Sequence, residues 1–300
     1  MKTKITELLK IEYPVIQGGL ANISDARLAA AVSNAGGAGI VGAGGHDADW
    51  VEEQINLVRE YTDKTFGVNI VLMAEDKDEI IDVVCRKKPD FVTFGAGNPV
   101  PYIKRLKELG IIVIPVVPNL RLAKRIEDAG ADALVIEGME AGGHIGQQTT
   151  MALMTNVIEN VNIPVLAAGG ISDGRGIRAA IAMGAAGVQM GSRFVVSEEC
   201  PAHINAKKRI IESTDTDSVV IGHTIGHSVR SLKNKFTEEY LAIEYSDQPR
   251  KLLKGRMKGM YAKAVIDGDV DNGYIQIGQS LDVLNEILPC SEIMKRLFHG

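Results

Sequence analysis

The sequence has few of the residues that would support a disulfide framework or a soft-metal site. Its 300 residues contain three cysteines, Cys85, Cys200 and Cys290, and these are widely separated. No pair of cysteines has the CxxC spacing, which argues against a disulfide framework and against a zinc or dithiol site.

Long apolar runs and a basic excess are also missing. The longest strongly apolar stretch, Leu109–Leu120, contains two prolines and is far shorter than the roughly 20 residues of a membrane span. No apolar run follows Lys2 and Lys4, so we expect no secretory signal. The 33 Lys and Arg residues are outnumbered by 38 Asp and Glu residues, which gives a net charge of −5 and disfavours nucleic-acid binding. These features predict a cytoplasmic protein with no membrane or nucleic-acid partner.

Glycine, in contrast, is abundant. The chain has 32 glycines, above the average of roughly 7%, but they follow no strict period and so do not indicate collagen. Hydrophobic residues make up 45% of the chain, which excludes a disordered protein. The length allows one large domain, or a large domain with a smaller one.

Eight short apolar runs, rich in Val and Ile, alternate with longer amphipathic segments. Runs without polar alternation are typical of strands that are buried on both faces of a parallel sheet. The predicted strands are Pro14–Gln17, Gly39–Val41, Phe66–Leu72, Phe91–Phe94, Ile111–Val117, Ala133–Glu137, Ile163–Ala168 and Ala186–Met190. The predicted helices are Asp25–Ala35, Ala48–Tyr61, Asp76–Lys87, Val100–Leu109, Leu120–Ala129, Met151–Asn160 and Asp173–Met183.

Eight βα units predict an α/β protein with a (β/α)₈ TIM barrel over residues 1–192, and a doubly wound sheet is the alternative. We expect residues 193–300 to form a small helical cap with closing helices. Within this part, residues 201–254 are predicted to be helical, as are Met257–Ile266 and Gln279–Leu288.

Glycines follow three of the predicted strands, and barrel enzymes place their active sites at this end of the strands. They are Gly18 and Gly19 after the first strand, Gly169 and Gly170 after the seventh, and Gly191, which precedes Ser192, after the eighth. Such turns bring backbone N–H groups close to a phosphate. Tight βα turns without a ligand are the alternative interpretation.

Two glycine motifs resemble known sites by spacing alone. The glycines of Gly37-x-Gly39-x-x-Gly42 precede and span a strand instead of following it, so they do not fit a dinucleotide site. The segment 170–174 fits the GxSxG spacing of a serine hydrolase, but Ser172 and Asp173 are also good N-cap residues for the next helix.

The segment from Glu137 to Gly146 follows the sixth strand and contains His144 among glycines. A histidine with an ordinary pKa near 6.5 is suited to proton transfer at neutral pH, and we predict that His144 is catalytic. Asn69 ends the third strand, where its amide could contact a heterocycle or could merely cap the strand. His223 and His227 have helical spacing, but no nearby carboxylate completes a metal site, so we predict none.

Taken together, these segments resemble the flavin-dependent nitronate monooxygenase superfamily, and within it the flavin-type enoyl-acyl-carrier-protein reductases. The resemblance extends over the whole chain and is most specific at Ala141-Gly142-Gly143-His144. Nitronate monooxygenases typically carry glutamine where this chain has Glu137, which favours the reductases.

The resemblance implies FMN as the cofactor and NADH or NADPH as the co-substrate. It implies that the FMN phosphate is bound by Gly169, Gly170, Gly191 and Ser192, and that the isoalloxazine lies near Gly18, Gly19, Asn69, Glu137, Gln189 and Met190. His144 would then stabilise the enolate or protonate the α-carbon of an enoyl thioester. A monovalent cation and a homodimer are further expectations from the family.

An acyl-carrier protein is the implied macromolecular partner. Because carrier proteins are acidic, it would dock on a basic patch, for which there are two candidates, although a solvated helix face is the preferred interpretation of each. They are Lys207, Lys208 and Arg209, and Lys251, Lys254, Arg256 and Lys258. Three other functions stay open: a nitronate monooxygenase, an inosine-monophosphate-dehydrogenase-like barrel with Cys200 as nucleophile, and a flavin-binding protein without catalysis.

Overall fold

A computed structural model describes residues 1–247, 252–253 and 255–299 and contains eight parallel strands that alternate with helices. The barrel strands are β1 (Val15–Gln17), β2 (Gly39–Gly42), β3 (Phe66–Val71), β4 (Phe91–Gly95), β5 (Ile112–Val117), β6 (Leu134–Glu137), β8 (Val165–Ala168) and β9 (Gly187–Met190). A two-residue strand between β6 and β8, β7 (Gly143–His144), lies outside the barrel. All eight predicted strands are present, within one or two residues of their predicted ends.

The strands are hydrogen-bonded in the order β1-β9-β8-β6-β5-β4-β3-β2, and every neighbouring pair is parallel. A parallel bridge between Ile16 and Ala38 joins the two ends of this sheet, and the Gln17 N–H donates to the Ala38 carbonyl at 2.9 Å. The sheet therefore closes into the predicted (β/α)₈ barrel, and the doubly wound alternative is wrong.

Helices cover the outside of the barrel at the predicted places. They are α2 (Ala26–Asn34), α3 (Ala48–Tyr61), α4 (Lys77–Lys87), α5 (Val100–Glu108), α6 (Leu120–Asp128), α7 (Thr150–Val157) with a 3₁₀ turn at Ile158–Asn160, α8 (Gly174–Ala182) and the short α9 (Ser192–Val195). An additional N-terminal helix, α1 (Lys4–Leu9), packs Ile5 and Leu9 into an apolar cluster with Ile16, Ile40 and Phe91. This cluster fills the barrel interior, so the opposite, carboxyl end is the one that can hold a site.

The residues after α9 differ from the predicted helical cap. Between α10 (Ile204–Ile211) and α11 (Lys235–Glu244) lie two strands, β10 (Ser218–Ile221) and β11 (Val229–Leu232), so the prediction that 201–254 is helical is wrong over this part. Both strands have only four residues, and their Val and Ile side chains form no helical stripe. β11 pairs antiparallel with β10 and with β7, which attaches this small sheet to the barrel loop that contains His144.

The end of the chain returns to the barrel. Of the predicted helix Met257–Ile266 only α12 (Met260–Val265) forms, and Gln279–Leu288 is irregular, so that prediction is wrong. The reason is that carbonyls of this segment accept from a side chain: Arg193 donates to the Val283 and Glu286 carbonyls at 3.3 and 2.6 Å. The last helix, α13 (Cys290–His299), packs against α2 and α8. None of the helices in the described residues is long and apolar enough to cross a membrane.

Candidate active site at the carboxyl end of the barrel

Two glycines after β8, Gly169 and Gly170, form a loop that we call the phosphate loop. Both have positive φ angles, 94° and 72°, which residues with a side chain rarely adopt. A Cβ on Gly169 would lie 2.8 Å from the Gly138 carbonyl oxygen, so the loop also packs tightly against the segment after β6. Among the described residues none accepts a hydrogen bond from the Gly170 N–H, which is therefore free to bind an anion.

The loop after β9 lies beside the turn after β1. The Gly18 N–H donates to the Met190 carbonyl at 2.8 Å, and a Cβ on Gly18 would lie 3.3 Å from the Gly191 Cα. The Gly191 N–H has no acceptor within the described ranges, and the Ser192 hydroxyl oxygen accepts from the Gly278 N–H at 2.9 Å. Strand pairing thus brings the turn after β1 and the loop after β9 together, as expected from their places in the barrel.

Asn69 and Gln189 present amides at the barrel mouth. Both side chains are 8% exposed. The Asn69 Oδ1 accepts from the Thr93 hydroxyl at 2.9 Å, which leaves its Nδ2 as a donor without a partner in the described part of the chain. Gln189 makes no side-chain hydrogen bond to any described residue. Because buried amides are normally hydrogen-bonded, these two groups are candidates for ligand contacts.

Gly19 allows the backbone to pass over Asn69. A Cβ at position 19 would lie 2.3 Å from the Cβ and Cγ of Asn69 and 2.6 Å from its Nδ2. Any side chain larger than hydrogen would therefore displace Asn69.

Glu137 ends β6 and pairs with Ala168 at the end of β8. The side chain has little contact with water, and this desolvation raises the pKa of Glu137 to about 7, because burial disfavours the charged carboxylate. Glu137 is therefore a carboxyl group that can hold or release a proton near neutral pH.

His144 is positioned by the small sheet. It pairs with Val229 of β11, and the next residue, Ile145, donates its N–H to the Ser228 carbonyl at 3.1 Å. His144 is exposed, yet the surrounding protein partly desolvates the imidazole and lowers its pKa, and the charge of the nearby His227 lowers the pKa further. We call residues 138–146 the histidine loop.

The structure also explains the motifs that we considered as alternatives. A Cβ on Gly39 would lie 1.8 Å from the Ala29 carbonyl oxygen, so that glycine allows α2 to pack on β2. The Asp173 carboxylate caps α8 by accepting from the Gly176 N–H at 3.0 Å, as a structural role for this motif predicts. Cys200 is buried, and desolvation raises its pKa to about 11, which is unsuited to a nucleophile.

The histidines at 223 and 227 do not lie on one regular helix. His223 begins a 3₁₀ turn, His223–Ile225, which is bounded by Gly222 and Gly226 in left-handed conformations, and His227 follows it. Across the described residues no group of three or more His, Cys, Asp or Glu side chains could hold a metal ion.

Both candidate basic patches are weakened by the structure. Lys207 is 5% exposed and its ammonium donates to the Ser197 carbonyl at 2.6 Å, so one of the three positive charges of the first patch is buried and does not face a partner. In the second, Arg256 lies 3.0 Å from the Glu239 carboxylate. Lys251 and Lys254 lie outside the described residues.

Several residues at the site were not among the site residues predicted from the sequence. The Glu140 carboxylate accepts from the Thr150 N–H and hydroxyl, and Arg230 donates to the Met139 carbonyl at 2.9 Å. The Ser280 hydroxyl donates to the Gly170 carbonyl at 2.9 Å. The sequence hint for Thr150 was the Thr pair before a predicted helix, whereas Arg230 and Ser280 reach the site only through the tertiary fold.

Comparisons with known proteins agree on one family. The sequence model of the family described as "Nitronate monooxygenase" matches residues 2–81 and 76–300. A "Probable nitronate monooxygenase" of Staphylococcus aureus is 34% identical over 93% of this chain and 92% of its own length. A "(3aS,4S,5R,7aS)-5-hydroxy-7a-methyl-1-oxo-octahydro-1H-indene-4-carboxyl-CoA dehydrogenase" of Mycobacterium tuberculosis is 30% identical over 99% of this chain and 95% of its own. The solved structure of FabK from Thermotoga maritima superposes with a TM-score of 0.96 at 44% identity, covering 99% of this chain and 95% of that one.

Proposed function

The chain belongs to the nitronate monooxygenase family, and we propose that it is an FMN-dependent reductase of 2-enoyl-acyl-carrier-protein thioesters that uses NADH or NADPH. The similarity to FabK supports the reductase over other reactions in the family. The relative from M. tuberculosis is named for a coenzyme A substrate, which supports thioester chemistry on this scaffold.

The residues at the barrel mouth fit FMN. The free N–H groups of Gly170 and Gly191 suit a phosphate, and the unpartnered amides of Asn69 and Gln189 suit the polar edge of an isoalloxazine. The glycine at position 19 leaves room where a side chain would collide with Asn69. When it is bound, the flavin supplies the hydride transfer between the nicotinamide and the β-carbon of the enoyl thioester.

The chain's own residues would then bind, orient and protonate. Glu137, Asn69 and Gln189 would border the flavin. Glu137 ends β6, Gln189 lies one residue before the end of β9, and Asn69 lies two residues before the end of β3, so it does not end its strand as predicted. The His144 side chain, in its protonated form, would donate a proton to the substrate α-carbon. In its neutral form its N–H would donate a hydrogen bond to the enolate oxygen. General acid catalysis of this kind contributes about 10²–10⁴-fold.

One observation supports the proposal most: His144 belongs to the loop that follows β6, and β11 of the small sheet pairs with this loop. A lone histidine on a mobile loop would not have this support. The small sheet would have no evident purpose in a protein that merely stores flavin.

The test is a pair of half-reactions followed by the visible flavin absorption of the purified protein without oxygen. We expect NADH or NADPH to bleach the flavin and a 2-enoyl thioester to restore its colour. A flavin-loaded protein that is bleached but not reoxidised by enoyl thioesters would refute the reductase.

The second candidate is nitronate oxidation with oxygen, which is favoured by the name of the S. aureus relative. It predicts oxygen uptake with an alkyl nitronate such as propionate 3-nitronate, with no requirement for NADH or NADPH. The two candidates are therefore separated by measuring oxygen uptake and enoyl reduction in the same preparation.

An acyl-carrier protein as the substrate carrier, a homodimer and a cytoplasmic location stay predictions. Cross-titration of the protein with carrier-bound and coenzyme A-bound enoyl substrates would test the carrier. Sedimentation of the purified protein would test the dimer.

A further inference from the structure

Thr150 contacts both loops that form the site. Its hydroxyl lies 2.9 Å from a Glu140 carboxylate oxygen, in the histidine loop, and 2.9 Å from the Gly169 carbonyl oxygen, in the phosphate loop. Its N–H donates to the same carboxylate, at 2.9 and 2.8 Å from the two oxygens. Hydrogen bonds to a charged group are stronger than neutral ones, so Glu140 binds the start of α7 firmly.

The two loops are packed without spare room at this point. A Cβ on Gly138 would collide with the Thr150 hydroxyl, and a Cβ on Gly169 would lie 3.1 Å from it. A Cβ on Gly170 would lie 3.3 Å from the Glu140 Cβ. Because close-packed contacts leave no room for independent movement, a shift of one loop is transmitted to the other.

Arg230 connects the histidine loop to the small sheet. It is 4% exposed, and its Nε donates to the Met139 carbonyl, in the residue before Glu140. Arg230 also pairs with Gly143, one residue before His144. The histidine loop is thus bound to the small sheet through Arg230 and to the start of α7 through the Glu140 carboxylate.

We propose that Glu140 and Thr150 are positioning residues that couple the phosphate loop to the histidine loop, so that a phosphate bound at Gly169–Gly170 orders His144. The inference rests on the proposed function, because FMN is the group whose phosphate would bind there. It adds that the phosphate of the cofactor has a second role, which is to align the proton donor.

The experiment compares FMN with riboflavin, which lacks the phosphate, using the full chain. Hydrogen–deuterium exchange of residues 138–146 is measured with each flavin at saturation, and dissociation constants come from fluorescence titration of the flavin-free protein. The variants are Thr150→Val and Glu140→Gln. Thr150→Ser keeps the hydroxyl, and Thr155→Val is the matched control, since the Thr155 hydroxyl donates to the Met151 carbonyl on the exposed side of the same helix.

In the wild type we expect FMN to protect residues 138–146 more than riboflavin does. Thr150→Val should abolish this difference and weaken FMN binding about tenfold. Glu140→Gln should reduce the difference in protection and the affinity for FMN. Thr150→Ser and Thr155→Val should behave as the wild type does. In Thr150→Val the kcat of enoyl reduction should also fall more than KM rises, because the proton donor is misaligned while substrate contacts remain.

The inference is overturned if FMN and riboflavin protect residues 138–146 of the wild type equally, or if Thr150→Val shows the same difference in protection as the wild type. Weaker FMN binding with an unchanged difference in protection overturns it too, since Thr150 would then act on the phosphate loop alone. A wild type that binds no FMN overturns both this inference and the proposed function. A wild type that binds FMN but reduces no enoyl thioester refutes only the proposed reaction, and the exchange experiment still decides on the coupling.

Discussion

Replacing the buried carboxyl at the end of β6 by the isosteric amide, Glu137→Gln, should stabilise the flavin-free protein at alkaline pH. The carboxyl group is shielded from water at the barrel mouth, and its pKa is raised to about 7 from an ordinary value of 4.5. A glutamine has a similar size but cannot ionise, so it removes the cost of placing a charge in this site.

The magnitude follows from the shift in pKa. A group that binds its proton more tightly in the native state lowers stability as the pH rises through the interval between the two pKa values. Here that interval runs from 4.5 to about 7, a difference of about 2.5 units, which corresponds to about 3 kcal/mol at 1.36 kcal/mol per unit. The residual contact of the side chain with water makes this an upper limit. Below pH 4.5 the carboxyl is protonated in both states, so this contribution disappears.

Urea unfolding of the flavin-free wild type and Glu137→Gln between pH 4.5 and 8.5 measures the effect. We expect the difference in unfolding free energy to grow with pH and to level off above about pH 7, in favour of the variant. Glu60→Gln, at an exposed position on α3, is the control and should change stability by less than about 0.5 kcal/mol at every pH. A pH-independent difference would refute the reasoning, because it would place the ionised carboxylate in a well-solvated site.

Three further changes test other parts of the site. Gly19→Ala should displace Asn69, break its hydrogen bond from Thr93 and weaken FMN binding about tenfold, as measured by fluorescence titration. The control is Gly95→Ala, whose added Cβ meets no protein atom within 4 Å, and it should bind FMN as the wild type does. If Gly19→Ala bound FMN as tightly as the wild type does, the expected collision with Asn69 would be contradicted. His144→Ala should keep FMN and slow enoyl reduction, measured by stopped flow, by at least about 100-fold. A rate close to that of the wild type would show that His144 is not the proton donor. In the wild type, the part of the rate that needs protonated His144 should be lost as the pH rises through a value below 6.5, because its folded-state pKa is lowered, and a loss centred above 6.5 would contradict this assignment.

The barrel could be predicted because the same physical requirement is repeated along the chain. Each strand is buried on both faces and therefore consists of Val, Ile and Ala without polar alternation, as in Val165–Ala168 and Gly187–Met190. The strand ends could be predicted for the same reason. Gly169 and Gly191 were therefore expected at the carboxyl end of the barrel, where they follow β8 and β9. The role of His144 stays a prediction, which rests on a titratable side chain among glycines after a strand at the carboxyl end of the barrel.

The small sheet of β7, β10 and β11 could not be predicted in the same way. β10 and β11 have four residues each, and they form because β7 offers an edge with which β11 can pair. No local pattern in Val229–Leu232 indicates that partner, which lies more than 80 residues earlier in the chain. The positions of Glu140 and Thr150 are local in sequence, but their significance depends on the contact between Thr150 and Gly169, which exists only in the closed barrel.

The segment that follows α12 shows why the site itself depends on the end of the chain. The Gly278 N–H donates to the Ser192 hydroxyl, the Gln279 N–H donates to the Glu140 carbonyl, and Ser280 donates to the Gly170 carbonyl, each at 2.9 Å. Three consecutive residues thus bind the loop after β9, the histidine loop and the phosphate loop. A Cβ on Gly278 would lie 2.9 Å from the Glu140 carbonyl oxygen, so this glycine is required for close approach and not for a turn. Two backbone N–H groups and one hydroxyl of this irregular segment therefore fix the relative positions of the three loops, and each of these donors has its acceptor in a barrel loop instead of in its own segment.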